Sequence, residues 1–141
     1  MTVTINAVTS TGLVQTSDGS GIIKLQSAGV TTNALAWVNF NGTLSGTITP
    51  RANYNVNSVT KNATGDYTLN FTNALSDTNY CFIGSTTGAT TSNTTRAIVV
   101  KGSDAGGATT KTTSAITIQT GGSASATLVD MAEIYVAIFG N

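Results

Sequence analysis

The sequence predicts an all-β chain: an antiparallel β-sandwich or jelly-roll-like knob behind a short β-rich N-terminal leader. Three observations carry that expectation. The apolar 40% of the chain includes only four Phe, four Tyr and one Trp, so it is largely Ala, Val and Ile. With abundant Thr and a single proline, that mixture favours strands over helices. From Leu35 onward, short apolar–polar alternations recur at even spacing, each closed by glycine- or asparagine-rich punctuation. The length, 141 residues, fits one domain with a modest core and a short appendage.

Residues 1–33 form the leader and 34–141 the knob. In the leader, the β-like runs Thr2 to Ala7 and Ile22 to Gln26 flank Thr11-Gly12-Leu13-Val14 and the turn signal Ser17-Asp18-Gly19-Ser20-Gly21. These runs hold too few apolar residues to close a core, so the leader is expected to pack against copies of itself or another protein. The knob opens on Ala36-Trp37-Val38-Asn39-Phe40-Asn41-Gly42. Trp37 and Phe40 fall on alternate sides of this run, and the ring size of the sole tryptophan makes Trp37 the expected nucleus of the core.

Candidate strands follow at 35–40, 44–49, 54–60, 66–72, 79–84, 96–101, 114–119 and 127–139. Eight short strands so spaced read as a sandwich. Tyr67, Leu69 and Phe71 share one face and Thr68 and Asn70 the other, with a hairpin around 62–66. Cys81, the only cysteine, reads as a buried thiol in a strand and provides no disulfide or cysteine-metal cluster. Residues 128–133 pass for a helical turn. Val136 and Ile138 then share a core face with Ile134, while Tyr135, Ala137 and Phe139 lie opposite. A last strand apolar on both faces is expected at the centre of its sheet or beneath a neighbouring subunit.

Charge is sparse. Only 9% of residues are charged, the net charge is zero and there is no histidine. Lys24, Arg51, Lys61, Arg96, Lys101 and Lys111 are scattered singly, so no nucleic-acid or anionic-membrane surface is expected. The longest apolar run, Ile134 to Phe139, is too short for membrane insertion, and Met1-Thr2-Val3-Thr4-Ile5-Asn6 does not read as a secretory signal, so synthesis in the cytoplasm is expected.

Without histidine, Ser-His-Asp and Cys-His sets cannot form. Asp130 and Glu133, three apart, offer a paired-carboxylate site of glycosidase type, against which ordinary surface charge is the favoured reading. Asp18-Gly19-Ser20-Gly21 lacks the further carboxylates a calcium loop needs, and Gly102 to Gly107 precedes no helix to cradle phosphate. The chain is therefore read as a non-enzyme with no catalytic, cofactor or metal residues. The sequons at Asn41, Asn62, Asn70 and Asn93 reflect Asn and Thr abundance. Arg51, after Pro50, is expected to stack or pair structurally.

The strings 36–42, Arg51-Ala52-Asn53-Tyr54-Asn55-Val56, Val59-Thr60-Lys61-Asn62, Thr64-Gly65-Asp66-Tyr67-Thr68-Leu69-Asn70-Phe71, Asp77-Thr78-Asn79-Tyr80 and Val136-Ala137-Ile138-Phe139-Gly140-Asn141 together resemble a module of tailed bacteriophages, cyanophages among them. That module is met at the distal end of tail fibres and related virion proteins. Segments 9–14 and 18–26 are similar to the short β-repeat that introduces phage fibre proteins. The resemblance implies a non-enzymatic, homotrimeric, β-rich virion component, its partners being its own copies, other tail or capsid proteins, and a host surface glycan. Fibre proteins carry a long shaft where this sequence has residues 1–33, so a capsid cement protein at three-fold positions is the alternative to a receptor-binding knob. For a receptor binder, the expected contacts are the polar loops 86–93 and 103–111, with Thr87, Asn93 and Lys111, and Tyr54 or Tyr80 as sugar-stacking platforms.

Overall fold

Period-2 alternation builds both sheets of the protein, seen in a computed structural model that describes residues 26–27, 30–31, 33–87, 96–102, 110–122 and 127–140. Most of the leader, Asn93, and the greater part of both predicted contact loops lie outside these residues. Of the leader, a two-stranded antiparallel pair is described, β1 (Gln26–Ser27) with β2 (Val30–Thr31).

The knob strands are β3 (Ala36–Phe40), β4 (Thr47–Ile48), β5 (Ala52–Tyr54), β6 (Val56–Ala63), β7 (Asp66–Phe71), β8 (Cys81–Thr86), β9 (Arg96–Val100), β10 (Ala115–Gly122) and β11 (Ile134–Phe139). They form a four-stranded sheet in the order β5-β3-β11-β8 and a five-stranded sheet in the order β4-β6-β7-β10-β9. Every pairing is antiparallel. The expected all-β sandwich is what forms.

The chain passes between sheets repeatedly, and one crossing needs a single residue. Asn55 separates β5 from β6 with φ at +54°, a left-handed conformation that asparagine tolerates better than most residues. Its buried side chain holds the corner: Nδ2 donates to the carbonyls of Leu35 and Asn73 (both 3.1 Å), and Oδ1 accepts from the Asn73 amide (2.8 Å). The hairpin between β6 and β7 turns through Thr64 and Gly65, where Gly65 has φ +63°. A Cβ there would meet the Thr120 carbonyl oxygen at 2.5 Å, so both conformation and space require glycine.

The core lies between the sheets. Ala36, Val38 and Phe40 of β3 and Ile134, Val136 and Ile138 of β11 face Val59, Tyr67, Leu69, Phe71, Ile116 and Ile118 of the other sheet, all buried. Phe40 meets Tyr67 edge-on at 5.3 Å, and Phe71 meets Tyr80 edge-on at 6.0 Å. β11 is central, flanked by β3 and β8.

Four expectations are corrected. Trp37 is not the core nucleus: it is 40% exposed on the opposite face of β3, and Phe40 holds the buried position. Cys81 is exposed rather than buried, because β8 turns Cys81, Ile83 and Ser85 outward. Residues 128–133 form no helix; Leu128 makes one bridge to Gly121, and only from Ile134 does a strand run. Gly121 and Gly122, read as punctuation, continue β10 and pair with Ala97 and Arg96.

Candidate functional site

The two sheets present very different outer faces. On the five-stranded sheet, the outward side chains of β6, β7 and β10 are short and polar and bond to each other. Thr68 and Thr117 share a hydrogen bond (3.0 Å), and Asn70 Nδ2 donates to the hydroxyls of Ser58 and Thr60 (both 3.2 Å). Asn62 donates to Thr68 (3.0 Å) and to Asp66 (2.8 Å). Asp66 also takes Lys101 (2.9 Å) and Gln119 (3.3 Å). Burial alone would raise the Asp66 carboxyl, but the hydrogen bonds from Asn62, Lys101 and Gln119 and the Lys101 charge outweigh it and hold the group below its ordinary value. Such a neutral, self-satisfied ladder suits water.

On the four-stranded sheet the described outward side chains are mostly apolar instead. Its register aligns Tyr54, Trp37, Ala137 and Ile83 in one cross-strand row. The adjacent row is Ala52, Asn39, Tyr135 and Ser85. Trp37, Tyr135 (37%) and Ile83 (62%) are exposed here, three of the five large apolar side chains so exposed among the described residues. Between them runs a groove of about 420 Å³ whose lining includes no charged side chain. The smallness of Ala137 makes the groove, since it leaves a floor between the taller Trp37 and Ile83.

One margin of this face carries charge that cancels locally. Arg51 Nη1 lies 3.6 Å from Glu133 Oε1 and Nη2 donates to the Ala132 carbonyl (3.1 Å). The Tyr135 hydroxyl donates to Glu133, a bond that, with minor burial and the carboxylate's charge, raises the phenol above its ordinary value while Arg51 opposes the shift. Arg51 thus pairs structurally, with a carboxylate and a backbone carbonyl of its own chain.

Asp130 and Glu133 do not act as a pair. Glu133 belongs to that margin, whereas Asp130 is committed elsewhere. Its Oδ2 accepts from Lys61 Nζ (2.6 Å), and its Oδ1 accepts from the Gly65 amide and the Tyr67 hydroxyl (both 2.8 Å). Lys61 Nζ and the Tyr67 hydroxyl also reach the Gly42 carbonyl (3.3 and 3.0 Å). Burial pushes the Asp130 carboxyl up, but these donors and the Lys61 charge leave it lowered. The Tyr67 phenol is pushed well above its usual range by burial and by the carboxylate it serves. This constellation ties the segment before β11 to the β6–β7 hairpin and commits both Asp130 oxygens to donors of the same chain.

The expected receptor contacts scatter. Tyr80 is 3% exposed and its hydroxyl donates to the carbonyls of Thr112 (2.9 Å) and Ala115 (3.3 Å), so it is no surface platform. Burial pushes its phenol up to about 12. Lys111 is spent on the same residue: Nζ bonds the Tyr80 carbonyl (2.6 Å) and stands 4.5 Å above the Tyr80 ring. Tyr54 is half-buried on the edge strand of the apolar face, and Thr87 is exposed just past β8, its amide bonded to the Glu133 carbonyl (3.2 Å). The double-sided apolarity of residues 134–139 signalled part of this face in the sequence, but the outward placement of Trp37 and Ile83 beside Ala137 was missed.

Fold and face together define a β-sandwich with one largely polar sheet surface and one apolar surface left open among the described residues. Comparison of the chain with family models, curated proteins and solved structures finds no match.

Proposed function

We propose that this chain is a non-enzymatic structural protein of a bacteriophage virion, homotrimeric and surface-exposed, whose sandwich serves as a tail-fibre-like receptor-binding knob. The observation that supports this reading is the contrast between the two outer sheet faces. One face is satisfied across β6, β7 and β10 by its own hydroxyls and amides, with Val99 of the edge strand β9 its exposed large apolar residue, and the other gathers Trp37, Ile83 and Tyr135. Such a sandwich suits a module that stands among neighbours rather than alone. The strings that carry the phage resemblance fall on structurally demanding positions of the same unit: Asn55 at the sheet crossing, Gly65 at the hairpin, and Tyr67 and Phe71 in the core.

In this reading the virion supplies the neighbours, and the exposed Thr87, just past β8, faces the host glycan. The same apolar face also suits a cement protein seated on a capsid shell. Imaging of intact particles carrying a tagged copy of the chain separates the two. Label confined to the tail supports the knob, label distributed over the head supports the cement protein, and particles without label overturn the virion assignment.

A further inference from the structure

The outer face of the four-stranded sheet asks for an occupant, and its features select one. Strands lie about 4.8 Å apart, so Trp37 and Ile83, two strands from each other in one row, stand roughly 9–10 Å apart with Ala137 as the floor between them. The face thus carries two projecting apolar side chains and a furrow wide enough to take one. A surface with both ridge and furrow is complementary to a copy of itself, the ridge of each copy entering the furrow of the next around a closed ring.

Charge points the same way. The groove lining includes no charged group, the Arg51–Glu133 pair at its margin is internally neutral, and the whole chain has a net charge of zero. Bringing two such faces together therefore opposes no like charges, and it offers nothing specific to a charged partner.

Area is consistent with this as well. With about 150–250 Å² for a large side chain, the uncovered parts of Trp37, Ile83 and Tyr135 come to roughly 300 Å². That is more than a third of the ~800 Å² that each partner contributes to a standard interface. These residues therefore form the centre of a contact, with Tyr54, Phe139 and Cys81 toward its rim.

We infer that the Trp37–Ala137–Ile83 face is the surface through which copies of this chain associate, the Ile83 or Trp37 ridge of one copy filling the Ala137 furrow of the next. The inference rests on the homotrimeric reading above and names the face that serves it.

Cys81, the only cysteine, is exposed beside Phe139 on the same face and is a built-in reporter. Native mass analysis of the full chain at micromolar concentration, with maleimide labelling of Cys81, provides the test. The wild-type protein should be oligomeric, and its thiol should react at least tenfold more slowly than in Ile83→Lys. Both Ile83→Lys and Trp37→Lys should be monomeric with unchanged β-sheet circular dichroism. Leu44→Lys, which alters an exposed apolar residue that does not line the groove, should remain assembled. If the oligomer survives both face substitutions and Cys81 labels equally fast throughout, the face is not the interface, although the homotrimeric reading stands. If the wild-type chain is a monomer, this inference and the homotrimeric reading fall together.

Discussion

Replacing Asp130 by alanine probes the constellation that fastens the irregular segment before β11 to the β6–β7 hairpin. The substitution removes the acceptor of three donors: Lys61 Nζ at 2.6 Å, and the Gly65 amide and Tyr67 hydroxyl at 2.8 Å. Tyr67 retains the Gly42 carbonyl, and so does Lys61 at 3.3 Å, but Lys61 keeps a charge whose side chain is only 14% exposed. Breaking a fully buried ion pair costs about 3–5 kcal/mol. Asp130 is 26% exposed and the orphaned donors keep weaker partners, so the expected loss is about 2–4 kcal/mol, or on the order of 10 °C in Tm.

The effect must also depend on pH in a definite direction. The folded carboxyl is held below its unfolded value of 3.8, so its contribution is fully present above that value and is lost as pH falls through the lower folded value. Urea unfolding of wild type and Asp130→Ala should therefore differ most near neutrality and converge in acid. Asp66 titrates in both proteins and cancels. A difference under ~0.5 kcal/mol at pH 7, or one that persists unchanged into strong acid, would refute the role assigned to Asp130.

At concentrations low enough to separate copies, Trp37→Ala should cost less in urea unfolding than Phe40→Ala, which should cost about 3–5 kcal/mol. The reverse order would put the tryptophan back in the core. Gly65→Ala forces a side chain into a φ of +63° and against the Thr120 carbonyl, so a loss of at least ~2 kcal/mol is expected by the same assay, and none would mean the hairpin turns differently. In alkali, burial favours the neutral Tyr80 phenol. Its stabilisation is full below pH 10 and is lost as pH rises through about 12, so tyrosinate absorbance should show Tyr67 and Tyr80 ionising only as the fold opens. A single smooth titration near 10 would contradict their burial.

The strand pattern was legible because alternation and punctuation are local signals. Expected 66–72 became Asp66–Phe71, 96–101 became Arg96–Val100 and 35–40 became Ala36–Phe40. What failed was non-local. Gly121 and Gly122 look like a stop, yet they are accommodated because Arg96 and Ala97 are available as ladder partners and the Thr127 carbonyl lies so near Gly121 that a Cβ would meet it at 2.9 Å. The Asp130–Glu133 spacing suggests a helical face, but Lys61, Gly65 and Tyr67 compete for Asp130 from dozens of residues away, and the segment bends to meet them. Tyr54 and Tyr80 have the same side chain; only the arrival of Lys111, Thr112 and Ala115 decides that Tyr80 is inside.

The placement of Trp37 follows from parity rather than ring size. In a strand, shifting by one residue exchanges the two faces entirely. Turning β3 over to bury Trp37 would carry the half-buried Asn39 side chain in among the apolar residues of the other sheet. It would expose Ala36, Val38 and Phe40 together and break the edge-on packing of Phe40 on Tyr67. β11 votes the same way, because Val136 pairs with Val38 and Ala137 with Trp37, so the β-branched Ile134, Val136 and Ile138 go inward only if Ala36, Val38 and Phe40 do. One large ring cannot outweigh six buried positions. The tryptophan is left on the outside beside the smallest residue of β11, and the cost of leaving it in water is recovered only when another surface covers it.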